Sequence, residues 1–115
     1  MAFVIKRKES FSWPVKVDLP EDGKFRRHTF EAEFKNIPTS RFQELLDLSQ
    51  TGDINDVDIV REVMIGWSGI LDDNGEEMPF VKAKFDELLE VFGIPQAIAQ
   101  AFVESQTGGA KRKNS

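Results

Sequence analysis

The sequence predicts an α+β fold: an N-terminal antiparallel β-hairpin packed against about four short α-helices. Three observations predict it. Between Trp13 and Lys35 apolar and polar residues alternate, the period of a half-buried strand. From Phe42 to Phe102 apolar residues recur at helical spacing instead. Strands that come first and helices that follow favour α+β over a doubly wound sheet, in which the two alternate.

The elements follow in order. Phe3, Val4 and Ile5 suit either a short edge strand or a frayed end within residues 1–10. Trp13, Val15, Val17 and Leu19 then share one face of a strand, with Lys16 and Asp18 opposite. Pro14 sits near the start, where a missing N–H is tolerated. Pro20-Glu21-Asp22-Gly23 is a turn. His28, Phe30, Ala32 and Phe34 face inward on the return strand, and Arg27, Thr29, Glu31, Glu33 and Lys35 face out. Asn36-Ile37-Pro38 ends the hairpin.

Ser40 and Gln43 have the spacing of a capping box for the first helix, whose inner face carries Phe42, Leu45, Leu46 and Ser49. Thr51-Gly52-Asp53 breaks it. Asn55 or Asp56 caps a second helix, in which Ile59, Val60, Val63, Met64 and Trp67 recur at helical spacing. Gly66, Ser68 and Gly69 weaken its end. Residues 70–80 read as a compact loop or miniature hairpin, because Asn74-Gly75 suits a turn with positive φ. A third helix places Val81, Phe85, Leu88, Leu89 and Phe92 inward. Gly93-Ile94-Pro95 stops the chain and restarts it. The last helix, from about Pro95 to Glu104, buries Ile98, Ala101, Phe102 and Val103. Residues 1–105 are expected to form one domain. Residues 106–115, with Gly108-Gly109, Lys111-Arg112-Lys113 and no apolar anchor, are expected to be a disordered basic tail.

A chain of 115 residues suits one domain and should bury roughly two-thirds of its unfolded surface. It contains ten Phe and two Trp, a large apolar content for its length. With no cysteine, disulfides, thiolate metal sites and cysteine nucleophiles are excluded. The opening Met-Ala-Phe-Val-Ile-Lys-Arg-Lys has its charges after a short apolar run, the reverse of a signal peptide. No apolar run reaches the length of a bilayer span. Net charge is −5, but residues 1–28 carry +3 and residues 29–110 carry −11. The acidic body disfavours nucleic acid, whose phosphates it would repel.

Catalytic constellations are wanting. His28 is the only histidine and lies on a strand among charges, where a structural or exposed role is expected. Asp72-Asp73-Asn74-Gly75-Glu76-Glu77 fails as a calcium loop: aligning Gly75 to the turn glycine puts Ile70 and Val81 at ligand positions. Glu31/Glu33 and Glu76/Glu77 are ordinary surface pairs. No phosphate-binding glycine loop occurs, and Gly66-Trp67-Ser68-Gly69 does not match G-x-S-x-G. No enzyme activity, cofactor or metal is expected. Trp67 reads first as a core anchor and second as an interface residue, since Trp is enriched at binding hot spots. The expected work is protein binding.

From Val63 to Phe102 the chain reads Val-Met-Ile-Gly-Trp-Ser-Gly-Ile-Leu-Asp-Asp-Asn-Gly-Glu-Glu-Met-Pro-Phe, then a Leu-Leu helix, a proline break and a last helix. This resembles the tail assembly chaperones of long-tailed phages and prophages. Trp67, Gly69, Ile70, Gly75, Pro79, Phe80, Leu88 and Leu89 carry the likeness, which extends over most of residues 13–105. It implies transient binding of the tape measure protein, and of the tail tube subunit, in the host cytoplasm, with absence from the finished virion. Membrane binding is not implied, and self-association stays open. Candidate partner-binding residues are Trp67, Ile70, Leu71, Met78 and Phe80. The alternatives are a structural subunit of a tail or head-completion complex, and a general protein-binding adaptor.

Overall fold

Two twelve-residue strands, β1 (Ser10–Glu21) and β2 (Lys24–Lys35), form the hairpin in the computed structural model, which describes residues 8–108. Phe3–Ile5 and the Lys111–Lys113 triplet lie outside the described residues. The pairing runs from Ser10↔Lys35 to Glu21↔Lys24, so Asp22-Gly23 is a two-residue loop. Both residues have positive φ, 52° and 83°. A tight hairpin with the natural strand twist needs that geometry, and Asp-Gly tolerates it well. The alternation places Val15, Val17, Phe30, Ala32 and Phe34 inside. His28 is exposed.

Helix α1 (Thr39–Thr51) begins two residues earlier than the capping-box pattern implies. Pro38, at φ −62° and ψ 150°, is the cap, and no side chain bonds to the helix start. Ser40 is therefore already inside the helix, and Gln43 instead donates to Asp47 Oδ1 at 3.1 Å. Gly52, in the left-handed region, returns its N–H to Leu48 and Ser49 and ends α1. Helix α2 (Asp56–Val63) starts as expected at Asn55. Asn55 Oδ1 accepts from Asp58 N at 3.0 Å, and Asp58 Oδ2 accepts from Asn55 N at 2.9 Å.

The largest departure from expectation follows. The second helix does not run on to Trp67; it stops at Val63 and passes directly into strand β3 (Met64–Ser68). Gly66 disfavours continued helix, while Ile65 and Trp67 suit a strand. The edge of β2 also needs a partner, and β3 supplies it antiparallel, giving the order β1-β2-β3. The register shifts between Glu33 and Phe34: Glu33 faces Gly66, but Phe34 faces Met64. The extra residue is Ile65, which is left 46% exposed. The slip lets Met64 and Trp67 both point toward the core side.

Residues 70–80 form the miniature hairpin. Met78 N donates to Ile70 O at 2.7 Å, Leu71 bridges Glu77, and Gly75 turns the chain at φ 79°. Helix α3 (Lys82–Leu89) ends before Phe92. Phe92, expected on the inner face, is 89% exposed, because the chain turns at Glu90–Gly93 and the helical spacing no longer holds. Val81, expected inside, caps α3 and is also exposed. Gly93, at φ 89°, admits the sharp entry to α4 (Ile94–Thr107), with Pro95 in its first turn. Helix α4 runs three residues past Glu104 and buries Ile98, Ala101 and Phe102, while Val103 is half-buried.

The sheet presents one face to the helices. Helix α4 lies along β1, and α2 packs on α4. Phe34 is the hub: its ring meets Phe102 edge-on at 5.1 Å and Phe11 at 5.8 Å, and Phe42 meets Phe102 at 6.0 Å.

One ion pair joins α1 to α2. Arg41 donates to Glu62 through Nε at 2.7 Å and Nη2 at 2.6 Å, and to Glu44 through Nη1 at 2.8 Å. The Arg41 hydrogen bonds hold the Glu62 carboxyl below its ordinary value of 4.5. The folded form is the one with the depressed value. Its stabilisation is therefore complete above pH 4.5 and fades as pH falls through the lower folded value. Since Arg41 is 36% exposed, solvent screening keeps the contribution of the pair small. In urea at pH 7 wild type should be slightly more stable than Glu62→Gln, and the gap should narrow as the pH is lowered below 4.5.

Candidate functional site

An apolar depression lies where the hairpin, the miniature hairpin and the α3–α4 corner meet. Its volume is about 340 Å³. Val17, Leu19 and Phe30 from the inner face of the sheet form one wall; Ile70 and Leu71 form a second; Leu88 and Ile94 form the third. His28 and Thr29 are its polar edge. Leu71 is 57% exposed, and Phe92 stands two residues before Ile94. A large apolar side chain left in water beside an apolar cleft marks an interaction surface more strongly than a scattered exposed leucine does.

The cleft is positioned by an aromatic strut. Trp67 stacks edge-on with Phe80 at 4.7 Å, and Phe80 meets Phe85 of α3 at 5.0 Å. The Trp67 indole N–H donates to Met78 O at 2.7 Å. Arg61 lies over the outer side of the Phe85 ring, 5.7 Å from its centroid. Glu77 accepts from Gly69 N with both oxygens, at 2.9 and 3.2 Å. These contacts fasten the Ile70–Phe80 hairpin to β3 and α3 and hold Leu71 outward.

The five candidate residues therefore divide. Ile70 and Leu71 line the cleft. Trp67, Met78 and Phe80 are half-buried and belong to the strut beneath it. Sequence reading missed the other two walls of the cleft. Leu19 and Leu88 look like any core residue in sequence, and no short-range signal brings them together.

Polar chemistry is sparse. His28 Nε2 lies 2.6 Å from Glu21 Oε2 at the exposed tip of the hairpin. Among the described residues no hydroxyl is hydrogen-bonded to its other ring nitrogen, so no nucleophile is joined to that pair. No group of three or more His, Asp or Glu among the described residues could hold a metal ion. Asp86 is met by Lys82 at 2.8 Å and Arg61 at 2.9 Å, which keep its carboxyl below the usual range. A second depression, about 470 Å³, runs between β1 and α4. It is polar, and its Asp18 and Arg27 are paired with each other at 3.0 Å. Among the described residues no helix is long and apolar enough to cross a membrane.

Comparison of the chain with protein-family models, with curated proteins and with solved structures gives no match.

Proposed function

We propose that this chain is a tail assembly chaperone of a long-tailed phage or prophage, acting in the host cytoplasm by transient binding of the tape measure protein. The tail tube subunit is the second partner of that reading. The observation that carries it is the apolar cleft bordered by exposed Leu71, beside the packed rings of Trp67 and Phe80. A surface of this kind suits capture of an apolar segment that would otherwise aggregate. The likeness of the Trp67–Leu89 segment to those chaperones supplies the identity of the partner. The small acidic body suits a protein that must stay dispersed while its partner does not.

The test is co-expression with the tape measure protein of the same gene cluster. The partner should be soluble with this chain and insoluble without it. A partner equally insoluble in both, with this chain found in purified particles, would make it a structural subunit instead.

A further inference from the structure

We propose that the open edge of β2, at residues 25–29, takes up an extended segment of a partner protein as a further strand, whose alternate apolar side chains seat in the cleft at Leu71. The inference deepens the reading above and rests on it for the identity of the partner. Its own support is the hydrogen-bond phase of the hairpin and the position of the cleft.

The loop fixes the phase. Glu21 and Lys24 flank Asp22-Gly23, so they exchange both backbone hydrogen bonds, and the exchange recurs at every second pair along the hairpin. Phe25, Arg27 and Thr29 fall between those pairs and turn their N–H and C=O groups away from β1. Pro14 and Pro20 fall in the same phase on β1, where a missing N–H breaks no ladder bond. Strand β3 covers β2 only from Glu31 to Phe34. Gly69, at φ 85°, then turns the chain off that line, and Ile70 O is taken by Met78 N. Among the described residues no hydrogen bond reaches the outward backbone groups of Phe25, Arg27 and Thr29. The far edge of the sheet is different: Pro14 and Pro20 remove two of its donors, and α4 lies along β1. The sheet therefore offers an incoming strand the β2 edge and not the β1 edge.

The cleft lies at the same place. His28, Thr29 and Phe30 line it together with Ile70 and Leu71. Successive side chains of an added strand point to opposite faces of the sheet, so every second one enters the cleft. Those on the other face cover Phe25, which is 73% exposed. Arg26 and Arg27 leave the edge clear, because they reach back to Glu21 and Asp18 of β1 at 2.9 and 3.0 Å. A helix would leave the free backbone groups unanswered. A second copy would answer them, but antiparallel pairing of residues 25–29 with themselves sets one Arg27 directly opposite the other. A partner's extended segment with apolar residues at alternate positions meets both demands.

The test uses two fluorescein-labelled octapeptides of alternating threonine and valine. One is N-methylated on every threonine and the other on every valine, so each keeps its N–H groups along one edge alone. Binding to the full chain is read by anisotropy. One peptide should bind, and the other should bind roughly tenfold more weakly or worse, as the loss of two hydrogen bonds implies. Thr29→Pro, which gives β2 what Pro14 and Pro20 give β1, should weaken the bound peptide by a similar factor while the circular dichroism spectrum stays that of wild type. Leu71→Asp should weaken it as well. Binding of neither peptide, equal binding of both, or full binding by a folded Thr29→Pro chain would overturn the proposal. So would a dimer in sedimentation that Thr29→Pro dissociates, with no peptide bound, since the occupant would then be a second copy. If Thr29→Pro does not fold, the pair of peptides decides alone. Peptide binding without any gain in tape measure solubility would sustain the edge and remove the chaperone reading. A tape measure protein kept as soluble by Thr29→Pro as by wild type would remove the edge and leave that reading.

Discussion

Phe34→Ala should unfold more of this protein's stability than any other single truncation. Phe34 is fully buried and touches the rings of both Phe11 and Phe102, so it joins the hairpin to α4. Removing a buried Phe ring costs about 3–5 kcal/mol, because the cavity it leaves collapses only in part. A domain of this size has roughly 5–15 kcal/mol in total. In urea, with a slope of about 2 kcal/mol per molar, the midpoint should fall by roughly 2 M. Phe34→Leu keeps most of the volume and should lose about half as much or less. A midpoint shift below about 0.5 M for Phe34→Ala would mean that the sheet and α4 do not share one core.

Trp67→Ala should follow closely, for a different reason. The indole contributes two things: edge-on packing against Phe80, with Phe85 beyond it, and a hydrogen bond that satisfies Met78 O. Truncation removes both, at a cost of about 3 kcal/mol. The loss should be localised. Amide exchange of Met78, whose N–H closes the miniature hairpin on Ile70 O, should accelerate far more than that of Val60 in α2. Trp67→Phe keeps a ring but loses the N–H, and about 1–2 kcal/mol is expected. If Trp67 were only a surface contact for a partner, truncation would change stability by no more than about 0.5 kcal/mol.

The hairpin was legible because two independent signals agreed. Alternation placed Val15, Val17, Phe30, Ala32 and Phe34 on one face, and Pro20-Glu21-Asp22-Gly23 marked the turn, of which Pro20 and Glu21 stay in β1 and only Asp22-Gly23 form the loop. The helix break at Gly93-Ile94-Pro95 was legible for the same reason, as φ and the missing N–H both restrict the chain there. Strand β3 was not. Val60, Val63, Met64 and Trp67 fit a helical face equally well, and only the open edge of β2 decides for a strand. That edge is more than twenty residues away in sequence, beyond any local window. Phe92 misled in the opposite sense. Its spacing from Leu88 and Leu89 is helical, but the helix had already ended at Leu89.

The candidate site was half legible. The loop from Trp67 to Phe80 stood out by its acidic turn and apolar flanks, and of its five apolar residues Ile70 and Leu71 line the cleft. Their division into strut and surface depends on which way each side chain leans. That was decided by the bulge at Glu33/Phe34 and by the bond from Trp67 to Met78, neither of which a sequence pattern specifies.

The most direct test of the whole account is co-expression of the tape measure protein with the Leu71→Asp chain, measured as the soluble fraction of the partner. Leu71 is exposed and spends no hydrogen bond of its side chain on the fold, so the variant should keep a thermal midpoint within a few degrees of wild type. The account predicts that the folded variant leaves the partner in the pellet. A partner as soluble with Leu71→Asp as with wild type would contradict it, because the cleft would then not be where binding occurs.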